Sequence, residues 1–242
     1  MTPRAVLLDA GGTLLTTVQP MSELYAQVAS RYGRVVSGER IEQHFRDIWD
    51  RPSAAVQEGH PAATDASDRA WWRQLVWEAF SREGGVDSFE PFFTEAYEQF
   101  YDPAVWRIYP EVPSALSRFS AAGCRLAVVS NWSSRLEPML IKMEIRDAFE
   151  LVVASAVHGA AKPDPRIFDA ALKQMGVRPD EAVHVGDSVK SDVHGALRSG
   201  IQAVWLCRDQ SSEVSRSEME KLTKRGVFVA RDLDEAATLV LC

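Results

Sequence analysis

The sequence predicts an α/β fold: a parallel sheet with helices on both faces, and an inserted bundle of α-helices. From about residue 104 onward, short apolar strands alternate with helices, several of which end at a glycine. This alternation favours a parallel sheet that is covered on both sides. Between residues 17 and 103 the pattern is helical throughout, which predicts that a helical block interrupts the sheet after its first strand.

The first element is a buried strand over residues 4–9, which contains the apolar run Val6-Leu7-Leu8 and stops at Asp9. The block that follows is rich in Glu, Arg, Ala and aromatic residues and contains few β-branched runs, as helices do. The helices predicted in this block are 21–32, 38–50, 66–83 and 88–100.

Beyond the block, helix and strand alternate to the end of the chain. The predicted helices are 111–121, 134–142, 165–175, 190–198 and 233–240. The predicted strands are 125–130, 150–154, 182–185, 202–206 and 227–229. We therefore predict two domains: a Rossmann-like α/β core formed by residues 1–16 and 104–242, and a helical bundle formed by residues 17–103.

The inserted block is rich in large aromatic side chains. They are Trp49, Trp71, Trp72, Trp77, Phe80, Phe89, Phe92, Phe93, Tyr97 and Phe100. Such residues typically fill the core of a small helical bundle, but some of them could line a ligand pocket. Because Trp71 and Trp72 are adjacent, they cannot both face one core, and we expect one of them at the interface with the sheet.

Composition limits the partners and the location. A hydrophobic content of 46% with 25% charged residues is ordinary for a soluble globular enzyme. The net charge of −7 argues against nucleic acid and anionic membranes as partners. No apolar stretch reaches the roughly 18–20 residues that span a bilayer, and the first residues do not resemble a secretory signal. Three scattered cysteines indicate unpaired thiols in a reducing compartment, so we expect a cytoplasmic protein. We also expect it to be a monomer or a homodimer.

Polar residues stand at the ends of several predicted strands. Asp9 ends the first strand, Ser130-Asn131 ends the second strand of the core, and Asp187 follows the fourth, with Asp192 five residues later. Lys162 precedes a predicted helix. Because ligands bind at the carboxyl ends of the strands in open α/β sheets, we expect these residues to converge at one edge of the sheet.

The converging residue types suit phosphoryl transfer. Asp9 could attack phosphorus as a carboxylate nucleophile, Ser130 could donate to a phosphoryl oxygen, and Lys162 could neutralise both the nucleophile and the phosphate. Asp9, Asp187 and Asp192 offer the oxygen ligands that Mg²⁺ prefers. Three neighbouring carboxylates raise one another's pKa unless cations compensate, which again favours a divalent ion.

These segments resemble the haloacid dehalogenase-like (HAD) hydrolase superfamily. The residues that carry the resemblance are Asp9-x-Gly11-Gly12-Thr13, Ser130-Asn131, Lys162-Pro163-Asp164, Gly186-Asp187-Ser188, Asp192 and Gly195-Ala196. The resemblance covers roughly residues 4–16 and 104–207, and it looks like the branch with a helical cap inserted after the first strand. Residues 17–103 are called the cap below. The resemblance implies a Mg²⁺-dependent phosphatase that acts on a small phosphorylated metabolite through an aspartyl phosphate.

The resemblance also implies roles for individual residues. The implied catalytic residues are Asp9 and Lys162. The implied phosphate-binding residues are Thr13, Ser130, Asn131 and Lys162. The implied metal ligands are Asp9, the backbone oxygen of Gly11, Asp187 and, directly or through water, Asp192. Considered without the resemblance, Thr13 is expected to stabilise the turn that follows Asp9.

The sequence departs from the superfamily's pattern at Gly11. Phosphatases of the superfamily usually carry a second aspartate two residues after the nucleophile, which protonates the leaving group and later activates water. Such a group is typically worth about 10²–10⁴-fold in rate. A cap residue or water could replace it, the leaving group could need no protonation, or the enzyme could be weak.

Gly11 also keeps two other functions open. A 2-haloacid dehalogenase attacks carbon and needs no acid at position 11, although the carboxylates around Asp187 resemble a metal site that such enzymes lack. A phosphate- or partner-binding protein with weak or lost turnover is the other alternative, although the retained Asp9 argues against complete loss.

For substrate contacts in the cap, His60 is the foremost candidate, with Glu23, Arg51 and Glu58 as unproven ones. His158, His184 and His194 are expected to be structural or surface residues.

Overall fold

The computed structural model describes residues 2–49, 63–210 and 213–242. Its strands are β1 (Ala5–Leu8), β2 (Leu15–Thr17), β3 (Trp106–Ile108), β4 (Arg125–Ser130), β5 (Leu151–Ala154), β6 (Ala182–Gly186), β7 (Gln202–Leu206) and β8 (Phe228–Ala230). Its helices are α1 (Met21–Arg31), α2 (Gly38–Trp49), α3 (Asp65–Ser81), α4 (Phe89–Gln99), α5 (Val112–Ala121), α6 (Leu136–Lys142), α7 (Ser155–His158), α8 (Pro165–Met175), α9 (His194–Arg198), α10 (Glu213–Thr223) and α11 (Leu233–Leu241).

Six strands form one parallel sheet in the order β5-β4-β1-β6-β7-β8. β1 is therefore central, with β4 and β6 as its parallel neighbours. The carboxyl ends of these three strands lie side by side, which brings the residues that follow them to one edge of the sheet. The predicted α/β fold is confirmed.

The sheet is covered on both faces because side chains alternate along each strand. Val6 and Leu8 of β1 belong to one core cluster, which also contains apolar residues of α5, α6 and α11. Ala5 and Leu7 belong to a second cluster, which contains apolar residues of α8, α9 and α10. A strand buried on both faces reads as a continuous apolar run, as the first strand of this sequence does.

The described helices of the cap pack around an aromatic core. Phe80, Phe92 and Phe93 are completely buried, and the rings of Phe80 and Phe92 lie 4.9 Å apart. Tyr25 of α1 is also buried in this cluster. The prediction of a bundle with an aromatic core is thus met by the described helices, whereas the domain bounds stay a prediction.

The cap and the core are joined by polar contacts as well as by the chain. The Ser134 backbone N–H donates to Asp65 Oδ1 (2.7 Å), and the Ser134 hydroxyl donates to Asp65 Oδ2 (2.6 Å). Arg135 pairs with Glu98 at the end of α4 (2.7 Å). No helix in the described part of the chain is long and apolar enough to cross a membrane.

The sequence interpretation missed several short or polar elements. β2 and β3 form a separate antiparallel pair with Leu15 opposite Ile108. Each strand has three residues, and its partner lies about ninety positions away, so no local pattern reveals the pairing. The helix α10 was also missed. Its apolar contacts to the sheet come from Leu222, which is buried, and Met219, which is partly buried.

Gly195 allows α9 to lie close to α8 and to the loop that carries Lys162. A Cβ atom at this position would lie 2.7 Å from the Phe168 ring and 3.1 Å from the Cα atom of Pro163. Alanine is favoured over glycine within helices by roughly 1 kcal/mol. The close contacts nevertheless predict that Gly195→Ala lowers the free energy of unfolding by about 1–3 kcal/mol, measured by urea denaturation.

The double variant Gly195→Ala/Phe168→Leu is the matched control for this prediction. It relieves the closer of the two contacts. Its loss in free energy of unfolding should therefore be smaller than the sum of the losses in the two single variants. A Gly195→Ala protein as stable as the wild type would contradict the close packing.

Candidate active site

A buried lysine bridges two buried aspartates at the carboxyl edge of the sheet. Lys162 Nζ donates to Asp9 Oδ1 (2.6 Å) and to Asp192 Oδ1 (2.5 Å). All three residues are at least 94% buried, with Lys162 only 1% exposed. Asp9 is fixed in turn by its backbone N–H, which donates to the Val185 carbonyl on β6 (3.0 Å). The sequence-predicted convergence of these three residues is therefore observed.

Asn131 holds the backbone of Lys162 in place. The Lys162 N–H donates to Asn131 Oδ1 (2.7 Å), and Asn131 Nδ2 donates to the Lys162 carbonyl (2.9 Å). The Asn131 amide thus pairs with both backbone polar groups of Lys162, as a residue of a neighbouring strand would, and fixes the position of the Lys162 backbone. Asn131 also lines the cavity described below, and its binding of phosphate stays a prediction.

Both carboxylate oxygens of Asp192 have partners within the chain. Besides Lys162, Oδ1 contacts His184 Nε2 (2.8 Å), and Oδ2 accepts from the Ser188 N–H (2.9 Å). Gly186 makes room for this side chain, since a Cβ atom there would lie 2.2 Å from Asp192 Cγ. Asp192 therefore suits an indirect contact with a metal, through water, better than a direct one.

Asp187 completes a cluster of three carboxylates with Asp9 and Asp192. One oxygen from each of the three lies within 4.8 Å of the others. The Asp187 carbonyl accepts a hydrogen bond from Trp205 Nε1 (2.8 Å), which fixes this turn to β7. Gly12 has a φ of +76°, and a Cβ atom there would lie 2.2 Å from Asp187 Oδ2, so glycine is required for this approach.

The pKa values of the cluster follow from burial and charge. Burial raises the pKa of Asp9, and the charge of Asp192 adds to this rise, while Lys162 and a hydrogen bond from Ser130 oppose it. Asp187 is exposed and lines the cavity, close to the buried carboxyl groups of Asp9 and Asp192. Loss of hydration raises the pKa of Asp187 well above its usual range, and Asp9 and Asp192 raise it further.

The lysine and Asp192 stabilise each other's charged forms. Burial alone would neutralise both groups. The attraction of Asp192 and Asp9 outweighs burial and raises the pKa of Lys162. Lys162 and His184 likewise outweigh burial and hold the pKa of Asp192 below its usual range. At neutral pH this pair is therefore an ammonium and a carboxylate.

The carboxylate cluster fits a hard divalent cation. One oxygen of each carboxylate lies within 4.8 Å of the others, Lys162 pairs with only two of them, and the charges of Asp9 and Asp192 add to the rise in the pKa of Asp187 that loss of hydration causes. A divalent cation that prefers oxygen ligands, such as Mg²⁺, would supply the missing positive charge. Asp9 and Asp187 would hold it directly. Gly11 also lines the cavity, and its backbone oxygen stays a predicted ligand.

The cluster opens into a cavity of about 630 Å³ between the core and the cap. A cavity of this size suits a small molecule. Ser130 of β4, the turns that follow β1, β4 and β6, and Lys162 supply much of its polar wall, and aromatic residues supply much of the rest. Trp71 and Trp72 both line it, so the adjacent tryptophans share the interface that the sequence interpretation assigned to one of them.

The remaining predicted site residues differ in their placement. Ser130 lines the cavity and is 2% exposed. Thr13 is completely buried and is absent from the cavity wall, so its binding of phosphate stays a prediction. Glu23 lies beside Gly38 in the cap and outside the described cavity wall. The candidates His60, Arg51 and Glu58 lie outside the described residues.

Comparisons with known proteins identify the family of this chain. The family model for haloacid dehalogenase-like hydrolases matches residues 3–200. The chain belongs to the haloacid dehalogenase-like hydrolases. The predicted membership in this family is confirmed, and with it the assignment as a hydrolase.

Two relatives and one solved structure illustrate the similarity. Haloacid dehalogenase-like hydrolase domain-containing protein 3 of Mus musculus is 33% identical over 83% of this chain and 80% of its own length. The phosphoserine phosphatase of Thermus thermophilus is 36% identical over 85% of this chain and 89% of its own. A HAD-hydrolase of Bacillus subtilis, crystallised with magnesium, shares the fold with a TM-score of 0.75 at 14% identity over the full length of both chains.

The sequence interpretation of this HAD-like hydrolase missed Arg208, which clamps the loop after the candidate nucleophile. Its Nε donates to the Gly12 carbonyl (2.9 Å), and a second guanidinium nitrogen donates to the Thr13 carbonyl (2.9 Å). The third nitrogen pairs with Glu111 (2.8 Å), and the guanidinium lies 3.4 Å from the centre of the Tyr109 ring. Arg208 follows β7 at the same sheet edge as Asp9. Its place just after a predicted strand is the feature of the sequence that could have indicated a role at this edge.

We predict that Arg208→Lys loosens this loop in the hydrolase. An ammonium cannot serve both carbonyls and Glu111 with the planar geometry of a guanidinium. The free energy of unfolding should fall by about 1–3 kcal/mol, measured by urea denaturation. The control Arg178→Lys affects an exposed arginine that pairs with Asp180 and should change stability by less than about 0.5 kcal/mol. Equal effects of the two variants would contradict the clamp.

Proposed function

We propose that this hydrolase is a Mg²⁺-dependent phosphatase that acts on a small phosphorylated metabolite. The observation that carries the proposal is the bridge of Lys162 between Asp9 and Asp192, with Asp187 beside them at the wall of a cavity of ligand size. The name of the Thermus thermophilus relative, phosphoserine phosphatase, also supports a phosphate ester as the substrate.

In the proposed mechanism Asp9 is the nucleophile. One of its carboxylate oxygens forms a bond to phosphorus while the bond from phosphorus to the ester oxygen breaks, which leaves an aspartyl phosphate and an alkoxide that takes a proton from water to become the alcohol. Water then attacks the phosphorus of this intermediate and gives its proton to the solvent, which releases inorganic phosphate and restores the Asp9 carboxylate. A bound Mg²⁺ would supply positive charge that lets the anionic nucleophile approach the anionic phosphate.

The neighbouring residues have matching tasks. Lys162 opposes the rise in the pKa of Asp9 that burial causes, and it attracts the phosphate. The Ser130 hydroxyl, which also favours the ionised Asp9, can turn to donate to a phosphoryl oxygen. Arg208 holds the carbonyls of the next loop, so that the nucleophile keeps its direction. None of these proposed roles requires an acid at position 11.

The first prediction concerns the nucleophile. Asp9→Asn removes the attacking oxygen anion, and release of inorganic phosphate from a panel of phosphate esters that includes phosphoserine should fall at least about 10³-fold. EDTA should abolish the wild-type activity. The control Asp164→Asn affects a carboxylate that caps α8 outside the described cavity wall, and its activity should stay within about twofold because asparagine also caps helices.

Two results would overturn the proposal. Phosphate release by the wild type without divalent metal would contradict the metal dependence. Release of halide from a 2-chlorinated acid in the presence of EDTA would instead establish the dehalogenase alternative, in which Asp9 attacks carbon.

The second prediction concerns the metal and uses stability as its readout. Mg²⁺ at about 100 times its Kd should stabilise the folded protein by about 2.7 kcal/mol, which is a rise in Tm of several degrees for a chain of this size. Asp187→Asn should remove most of this rise in a thermal-shift measurement. The control Asp180→Asn affects an exposed carboxylate and should keep it. An undiminished rise in Asp187→Asn would contradict the ligand assignment.

The third prediction concerns the missing acid. Gly11 lies outside the left-handed region, and a Cβ atom there would lie 3.4 Å from the Trp132 ring, which is an ordinary contact. The backbone at this position therefore accepts a Cβ atom, as an aspartate requires. Gly11→Asp should raise kcat for esters with poor leaving groups by about 10²-fold. The control Gly11→Asn has the same shape without the acid and should give no rise. Equal rates in wild type and Gly11→Asp would mean that another group supplies the proton.

A further inference from the structure

The aromatic half of the cavity points to the class of ester that this site takes. We infer that the substrate is a phosphate monoester whose leaving group carries an aromatic ring, and that the ring binds between the cap and Trp132. The inference rests on the proposed phosphatase function and specifies its substrate. Three observations carry it: the aromatic cavity wall, the internal engagement of the wall's polar atoms, and the position of Trp132 beside Gly11.

Three pairs of aromatic side chains from different parts of the chain line the cavity that contains Asp9. The pairs are Trp71–Trp72, Tyr97–Tyr101 and Trp106–Trp132. Their ring centres lie 4.9, 5.3 and 5.0 Å apart, and their planes are inclined by 86°, 80° and 48°. Inclined pairs expose ring edges and faces together, and these are the surfaces with which a further ring packs favourably.

Tyr97 belongs to the core that holds the cap together, whereas Trp71 and Trp72 lie at its edge. Phe80, Phe92 and Phe93 are completely buried in that core. Trp71 and Trp72 are only partly buried, and they pack against the core from its edge while lining the cavity. Packing of the bundle therefore does not by itself explain why the tryptophans face the space above Asp9.

Polar atoms of the aromatic wall are engaged within the chain. The Tyr97 hydroxyl donates to Asp68 Oδ2 (2.7 Å), and Trp106 Nε1 donates to the Phe100 carbonyl (2.8 Å). The backbone N–H of Trp132 donates to the Ser155 hydroxyl oxygen (3.1 Å), which fixes the chain that carries this ring. These bonds hold the wall in place before a ligand arrives, which lowers the entropic cost of binding. Because the Tyr97 hydroxyl and the Trp106 ring N–H are engaged, these two side chains offer ring surface to a leaving group.

Trp132 brings the aromatic wall to the reaction site. Its ring lies 3.4 Å from the place where a side chain at position 11 would begin, two residues after Asp9. The residue also follows Ser130-Asn131 at the end of β4. A ring in the leaving group that is attached close to the ester oxygen can therefore pack on Trp132 while its phosphate lies at Lys162.

The experiment compares two esters with the same type of leaving oxygen, 2-phenylethyl phosphate and 2-cyclohexylethyl phosphate, with wild-type enzyme and Mg²⁺. The phenyl ester should have a kcat/KM about tenfold higher, the size expected for aromatic contacts beyond simple burial of area. Calorimetric binding of phenylphosphonate and cyclohexylphosphonate, which are not hydrolysed, should show the same preference. A cyclohexyl compound that reacts and binds as well as the phenyl compound would overturn the inference.

Matched tryptophan variants locate the preference. Trp71→Leu and Trp132→Leu should each lower the phenyl-to-cyclohexyl ratio to below about threefold. Trp77→Leu is the control, since Trp77 lies on the same helix as Trp71 but is 48% exposed and is absent from the described cavity wall. Its ratio should stay at the wild-type value. A ratio that survives both cavity variants would place the ring elsewhere and contradict the inference.

The results distinguish this inference from the proposed function. If no phosphate ester releases phosphate with Mg²⁺, the phosphatase proposal fails, and the phosphonate binding preference alone decides whether the cavity selects an aromatic ring. If both test esters are hydrolysed at equal kcat/KM, the phosphatase proposal stands and the aromatic selection fails. If neither phosphonate binds, the aromatic site is rejected.

Discussion

The site depends on one buried ammonium. Lys162 lies between Asp9 and Asp192, and removing it would leave two buried carboxylates without their cation, at a cost of several kcal/mol. Much of the surrounding structure serves this contact. Asn131 fixes the lysine backbone, His184 shares the Asp192 oxygen, and the glycine at position 186 gives that aspartate its space. A charge with this much support around it is held in one geometry, as catalysis by positioning requires.

The order of the strands turns distant segments into one surface. β1 lies between β4 and β6, so Asp9, Ser130 and Asp187 follow neighbouring strands although more than 170 positions separate the first from the last. The polar edge made in this way meets the aromatic side of the cap across a single cavity. The core provides most of the charged groups and also two of the rings, Trp106 and Trp132, while the cap provides the other aromatic side chains of the described wall. The cavity wall is thus built from both parts of the chain.

Local patterns predicted much of this arrangement and failed where distant contacts decide. The residues that end buried strands were predictable because parallel strands share a carboxyl edge, and Asp9, Ser130 and Asp187 follow that rule. His184 was interpreted as a structural or surface residue, and only the fold shows that its ring reaches Asp192. The clamp by Arg208 depends on the direction of one side chain, and the β2–β3 pair depends on contacts between remote segments. Neither leaves a periodic signal in the sequence.

The antiparallel pair of β2 and β3 carries both chain connections between the core and the cap. The chain enters the cap from β2 and returns through β3, so both connections run through one narrow ribbon. The same ribbon continues backward into the loop after Asp9, where Arg208 ties two carbonyls to the end of β7. Both chain connections of the cap therefore share one anchor, and this anchor lies only a few residues beyond Asp9.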